Sequence, residues 1–153
     1  MSSQRSAREK PPVPEPLTPL IDAHTHLDAC GAVDADDVRA ILDRAAAAGV
    51  QAVVTIADDL ESAQWAVAAA DWDPRVYAAV ALHPTRANAL TDEARTVIER
   101  LAEHPRVVAI GETGMDMYWP GRLEGCADPA EQRDAFAWHI DLAKRTGKPL
   151  MIH

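Results

Sequence analysis

Cysteine is scarce: Cys30 and Cys126 are the 2 in a chain of 153 residues. Two thiols make no disulfide framework, and both read as free thiols of a reducing, cytoplasmic compartment. Long hydrophobic runs are lacking too. No apolar stretch approaches the roughly 20 residues of a membrane span, although 48% of the residues are hydrophobic, as a globular core requires. The N-terminus carries charges with no apolar segment behind them, so no secretory signal is legible. Positive charge is in deficit: 15 Lys and Arg stand against 24 Asp and Glu, a net charge of -9. That balance argues against broad electrostatic capture of a polyanion. It leaves room for phosphate chemistry where bound divalent cations dominate the local field. The Gly-x-Gly-x-x-Gly signature is missing after the first strand-like segment, which takes weight from a dinucleotide-binding fold.

What is present alternates. Residues 1–18 hold Pro11, Pro12, Pro14 and Pro16 among polar and charged residues, and read as a disordered or extended tail. Its Arg5, Arg8 and Lys10 read as solvated charges. A first strand is predicted at about 19–24 and a helix at about 35–48, with Asp34 as N-cap, Val38, Ile41, Leu42 and Ala45 on one face, and Gly49 at the stop. Ala52 to Ile56 reads as a strand buried on both faces. Residues 59–70 form an Ala-rich helix with Leu60, Ala63, Val67 and a packed Trp65. Val76 to Leu82 is the third strand, closing on His83-Pro84. Thr91 caps a helix carrying Ala94, Val97, Ile98 and Leu101. Val107 to Ile110 runs into Gly111-Glu112-Thr113-Gly114, and a loop from Met115 to Asp128 follows. Asp128-Pro129-Ala130-Glu131 starts a helix, with Phe136, Ile140 and Ala143 inward and a stop at Gly147. Pro149 to His153 is the fifth strand. Strands alternating with helices imply parallel pairing through right-handed crossovers, in a doubly wound sheet or a (β/α)8 barrel.

Polar chemistry gathers where these apolar strands end. In Leu20-Ile21-Asp22-Ala23-His24-Thr25-His26, the period of two sends His24 and His26 to one face, with Asp22 beside them. His83 follows the third strand, Glu112 the fourth, and His153 ends the fifth. In a parallel barrel these ends converge on one mouth, where active sites lie. Imidazoles with a carboxylate suit zinc, manganese or similar dications. Glu112 has two oxygens and is able to bridge two ions, an arrangement that clamps a phosphoryl group.

The stretches Ile21-Asp22-Ala23-His24-Thr25-His26-Leu27-Asp28, Leu82-His83-Pro84 and Ile110-Gly111-Glu112-Thr113-Gly114-Met115-Asp116 resemble successive signatures of the TatD family of metal-dependent deoxyribonucleases. Gln132, Phe136, Leu142-Ala143 and Pro149-Leu150-Met151-Ile152-His153 continue the match in order. The resemblance spans about residues 19–153 and implies an amidohydrolase-like TIM barrel that hydrolyses DNA phosphodiester bonds. It implies that His24 and His26 ligate one of two divalent ions (zinc, manganese or magnesium). Glu112 bridges both ions as the catalytic carboxylate, and His153 ligates the second. His83 and Asp116 fall in motifs near the mouth and take a substrate-facing role. The expected partner is DNA or an oligonucleotide, with no membrane and no obligate protein partner, in the cytoplasm.

The family's barrel runs through eight strands and about 250 residues. It takes a further histidine and an aspartate from beyond the fifth strand. Residues 19–153 are therefore expected to be the N-terminal part of the barrel, five strands and four helices, unstable and inactive by themselves. Two other functions compete. One is an amidohydrolase or lactonase, many of which bridge their metals with a modified lysine on the fourth strand. Glu112 in that place favours the nuclease. The other is an inactive binding module with an open sheet edge. Among the remaining polar residues, His104 reads as a helix-end cation and His139, beside Trp138, as a surface or interface residue. Arg86, Arg122 and Arg133 read as solvated charges. Tyr118 and Trp119 either stack on an unpaired base or pin their loop.

Overall fold

Each apolar strand in this chain needs cover on both faces, and a parallel neighbour is reached only through a crossover long enough for a helix. A computed structural model, which describes residues 19–153 together with Pro12, Glu15 and Pro16, shows that solution. Strands β1 (Leu20–Thr25), β2 (Val50–Ile56), β3 (Val76–Val80), β4 (Val107–Thr113) and β5 (Leu150–Ile152) alternate with helices α1 (Ala35–Ala47), α2 (Leu60–Trp72), α3 (Asp92–Ala102) and α4 (Pro129–Thr146). The strands form one sheet in sequence order, every neighbouring pair parallel. It is half of a (β/α)8 barrel, with the five strands and four helices expected. Apart from Pro12, Glu15 and Pro16, the expected tail with Arg5, Arg8 and Lys10 lies outside the described residues.

Local signals start and stop the helices. Asp34 accepts the backbone N–H groups of Asp36 and Asp37 at 2.9 and 3.1 Å. Asp59 with Ser62, and Asp128 with Glu131, each form a capping box. Thr91 Oγ1 accepts Ala94 N–H at 3.2 Å. Each contact satisfies donors that the first helical turn leaves unpaired. Gly147 ends α4 at φ 66°, the left-handed region that favours glycine.

The two faces of the sheet are packed differently. Under the helices lies the larger core, with Leu27, Val38, Leu42, Val53, Val76, Val80, Ile98, Val107, Ile110 and Leu142. Trp65 packs at its edge, edge-to-face with Trp72 at 5.8 Å. The face that no helix covers is lined by Val54, Ile56, Ala79 and Ala109. At the sheet's two edges, Ile21 is 68% and Ile152 63% exposed. Among the described residues no helix is long and apolar enough to cross a membrane.

Element ends differ from the expectation by a residue or two, and three differences bear on the site. First, β3 ends at Val80 and a short 3-10 helix spans Pro84–Ala89. Six residues are too few for a helical period to show in sequence. Second, β4 runs on to Thr113. Gly111 makes this possible, because a Cβ there would lie 3.0 Å from the Met151 carbonyl oxygen and overlap the Met151 side chain. Third, the inward face of α4 is Gln132, Ala135, His139, Leu142 and Ala143, while Phe136 and Ile140 are only half buried. His139, expected at the surface or at an interface, is 0% exposed in the interior of the fold. Two polar residues in the buried stripe disguised it, and both are satisfied by hydrogen bonds.

Candidate metal centre

The C-terminal ends of the strands bring five of the six expected site residues into one cluster and set the sixth, Asp116, at its side. Glu112, 7% exposed, stands in the middle on β4. Its Oε2 faces β1, 3.2 Å from His24 Nε2 and 3.9 Å from His26 Nε2. Its Oε1 faces the other way and is hydrogen-bonded to His153 Nδ1. His83 Nε2 lies 3.2 Å from the same His153 nitrogen, and His153 Nε2 lies 3.3 Å from Asp116 Oδ2. The donor atoms of His24, His26 and Glu112 fall within 4.8 Å of one another, and so do those of His83, Glu112 and His153.

Contacts outside the cluster hold His83, Asp116 and the backbone after His26. His83 Nδ1 accepts the Thr85 N–H at 3.3 Å and lies 2.8 Å from Thr85 Oγ1. The backbone leaving His26 is tied to β2, where Thr55 Oγ1 accepts Leu27 N–H at 3.2 Å. Asp116 Oδ1 accepts the N–H groups of Tyr118 and Trp119 at 2.8 and 3.2 Å. One oxygen of Asp116 therefore shapes the loop after β4 while the other faces His153. Gln132 clamps the Asp116 backbone from both sides, accepting its N–H at 2.7 Å and donating to its carbonyl at 3.0 Å.

The electrostatics follow from this crowding. Burial pushes the Glu112 carboxyl up, but the His153 hydrogen bond and the charges of His153, His24 and His83 outweigh it and hold Glu112 below the usual range. Burial also works against a charge on His153, and the two carboxylates of Glu112 and Asp116 reverse that, raising its pKa. Asp116 is lowered: burial is overcome by the two loop N–H groups and by His153. His83 is lowered by its burial and by His153. Imidazole nitrogens on both sides of one buried carboxylate form a donor set that suits a borderline dication such as zinc or manganese.

Some residues near the site escaped sequence reading. Asp58, just beyond β2, places Oδ1 3.9 Å from His26 Nδ1, and β2 is the strand whose polar end had gone unremarked. Thr85 sits in the unforeseen 3-10 helix. His139 and Gln132 were hidden in a helix face. Asp22 is in neither donor group: its Oδ1 accepts the His24 N–H at 3.1 Å, and the β1–β2 register shifts between Asp22 and Thr25. His104 lies beyond α3, 3.4 Å from Asp71 Oδ1. Arg86, Arg122 and Arg133 are exposed, and both cysteines are free.

Fold and donor set together define an α/β barrel protein whose strand ends form a metal-capable mouth. A family model described as TatD related DNase matches residues 21–153. The chain belongs to that family, the TatD family of metal-dependent hydrolases. It is 78% identical over 134 residues to an uncharacterized metal-dependent hydrolase TatD of Mycobacterium tuberculosis, covering 88% of this chain and 51% of that protein. It is 32% identical over 118 residues to a 3'-5' ssDNA/RNA exonuclease TatD of Musicola paradisiaca, covering 76% of this chain and 43% of that one. The crystal structure of the TatD homologue YJJV of Escherichia coli superposes with a TM-score of 0.73 at 30% identity, over 87% of this chain and 49% of that chain. The chain thus spans about half the length of the curated relatives it matches.

Proposed function

We propose that this protein hydrolyses phosphodiester bonds of DNA, working from a strand end or on single strands, with two divalent cations held at the mouth. One observation carries the reading: the two oxygens of buried Glu112 face separate histidine groups, Oε2 towards His24 and His26 and Oε1 towards His153. His24, His26 and Glu112 would hold one ion, and Glu112 with His153 the other. When bound, the ions supply charge stabilisation for the phosphoryl oxygens and lower the pKa of the attacking water. The protein's own part is placement. Glu112 is kept ionised by the imidazoles around it. Asp116 fixes the His153 ring and the loop together. His83, kept towards its neutral form by burial, is anchored at Thr85 and presents its other nitrogen to the centre. Relatives named as single-stranded DNA and RNA exonucleases support this substrate class. A glutamate at the end of β4, in place of a bridging lysine, favours it over amide or lactone hydrolysis. The cytoplasm is the proposed compartment, consistent with the free thiols.

The test is turnover of an end-labelled single-stranded oligonucleotide by the full-length protein with manganese, zinc or magnesium, beside amide and lactone substrates. Cleavage of the oligonucleotide is expected, lost on chelation. It should fall by about 100-fold or more in Glu112→Gln, which keeps the shape of the side chain and removes the charge, since electrostatic contributions of this kind are commonly worth that much. Turnover of a lactone or amide with no cleavage of DNA would overturn the proposal.

A further inference from the structure

We propose that His139 is a positioning residue: from inside α4 it pins the ends of β3 and β4 together and thereby sets where His83 and Glu112 stand. This rests on the reading of the mouth as a metal centre. The β3–β4 ladder pairs Ala78 with Val107, Ala79 with Ala109 and Val80 with Ile110. The site residues lie past Val80 and Ile110, where that pairing has stopped. At this point the His139 ring intervenes. Its Nε2 accepts the Leu82 N–H at 3.3 Å, and Leu82 immediately precedes His83. Its Nδ1 lies 2.8 Å from the Ala135 carbonyl oxygen and 3.1 Å from Thr113 Oγ1, and Thr113 immediately follows Glu112. A carbonyl only accepts, so Nδ1 carries the proton and Nε2 is bare. One neutral imidazole thus replaces the missing rungs of the ladder.

The cost of burying this ring points the same way. A polar group with 0% exposure is retained only when its hydrogen bonds are made, and a leucine would fill the space without that demand. The bonds of His139 reach beyond its own helix to the two strand ends that carry site residues. Gln132 lies two turns earlier on the same buried face and does the equivalent for Asp116, holding both its N–H and its carbonyl. The inner face of α4 is therefore a scaffold for the rear of the mouth. Groups bonded directly to metal ligands typically govern affinity by about 10- to 100-fold, and His139, bonded to the chain neighbours of His83 and Glu112, belongs at the lower end of that range.

The experiment compares His139→Leu, His139→Gln and Leu142→Ala in the full-length protein. The glutamine keeps an acceptor and a donor, and Leu142, 1% exposed on the same helix, controls for lost packing. Manganese affinity is read by calorimetry, and the ring resonances of His83 and His153 by metal-free NMR. His139→Leu should weaken manganese binding by about 10-fold or more and move the two ring signals. The glutamine should restore both, and Leu142→Ala should leave both unchanged at a comparable loss of stability. Equal effects of His139→Leu and Leu142→Ala, or no effect of either, would show a packing role alone and overturn the proposal. If the wild-type protein binds no manganese, the metal-centre reading fails by itself, and the ring signals still decide the role of His139. If His139→Leu does not fold, the wild-type tautomer decides: an Nε2–H imidazole at His139 would leave the Leu82 N–H without its acceptor and refute the pin.

Discussion

Glu112 and His139 are both ionisable and both buried, and their surroundings drive them in opposite directions. Imidazoles on each side of Glu112 keep it charged against its burial. Burial, helped by the nearby Arg95, lowers the pKa of His139 from 6.5 to about 4, and the bond to the Ala135 carbonyl only partly opposes this. Protonation of His139 therefore favours the unfolded chain, in which the ring titrates near its ordinary value. Between about pH 4 and 6.5 the unfolded state binds more protons, so the contribution of His139 is complete above that window and is lost as pH falls through it. The shift corresponds to about 3 kcal/mol. In urea titrations the stability advantage of wild type over His139→Gln should shrink by that order from pH 7 to pH 4. An advantage that does not change with pH would mean that folding leaves the affinity of the ring for its proton unchanged, and one that grows as pH falls would mean that the folded protein favours the charged ring.

Among the elements, the loop from Met115 to Asp128 combines display with restraint. Two of its N–H groups are bound to Asp116, yet Tyr118 is 61% and Trp119 41% exposed. A ring that merely pinned the loop would bury its face. These two are left open beside the mouth, with Arg122 4.7 Å from the Tyr118 ring centre. Stacking of an unpaired base on such a ring is worth about 1–3 kcal/mol. Tyr118→Ala and Trp119→Ala should each raise KM for a single-stranded oligonucleotide by about 10-fold with little change in kcat. Unchanged KM would assign the rings to loop structure alone. The element scale is also where the sequence was most legible. Caps at Asp34, Thr91 and Asp128, and runs of alternating β and α period, place every strand and every long helix, because those signals are local. The 3-10 helix at Pro84–Ala89 escaped for want of length. The inward face of α4 escaped because Gln132 and His139 look like surface residues until the backbone groups they serve are known. At the mouth, His24, His26, His83, Glu112 and His153 were legible from their positions after strands. Asp58 was not, since an exposed aspartate before a helix also serves as a turn.

For the molecule as a whole, a net charge of -9 disfavours approach to a polyanion, and bound cations would reverse that field where it matters. Cations that bind only the folded centre stabilise it by mass action, by about 2.7 kcal/mol at a hundredfold excess over Kd. For a domain of this size each kcal/mol moves Tm by about 2–4 °C. Adding manganese to chelator-treated protein should therefore raise Tm by roughly 5–11 °C, and Glu112→Gln should abolish most of that rise. A Tm indifferent to manganese would argue against a cation site. The sheet itself carries a further consequence. Its uncovered face is lined by Val54 and Ile56 on β2, Ala79 on β3 and Ala109 on β4, with Tyr77, Val108 and Met151 packed against them, while Val76, Val80, Val107 and Ile110 lie under the helices. The histidines stand on the rim of this sheet, at the C-terminal ends of its strands. Ala79 and Ala109, 0% and 4% exposed, lie on β3 and β4 below His83 and Glu112, so a bulkier residue at either place should press on the rim from beneath without touching a single donor.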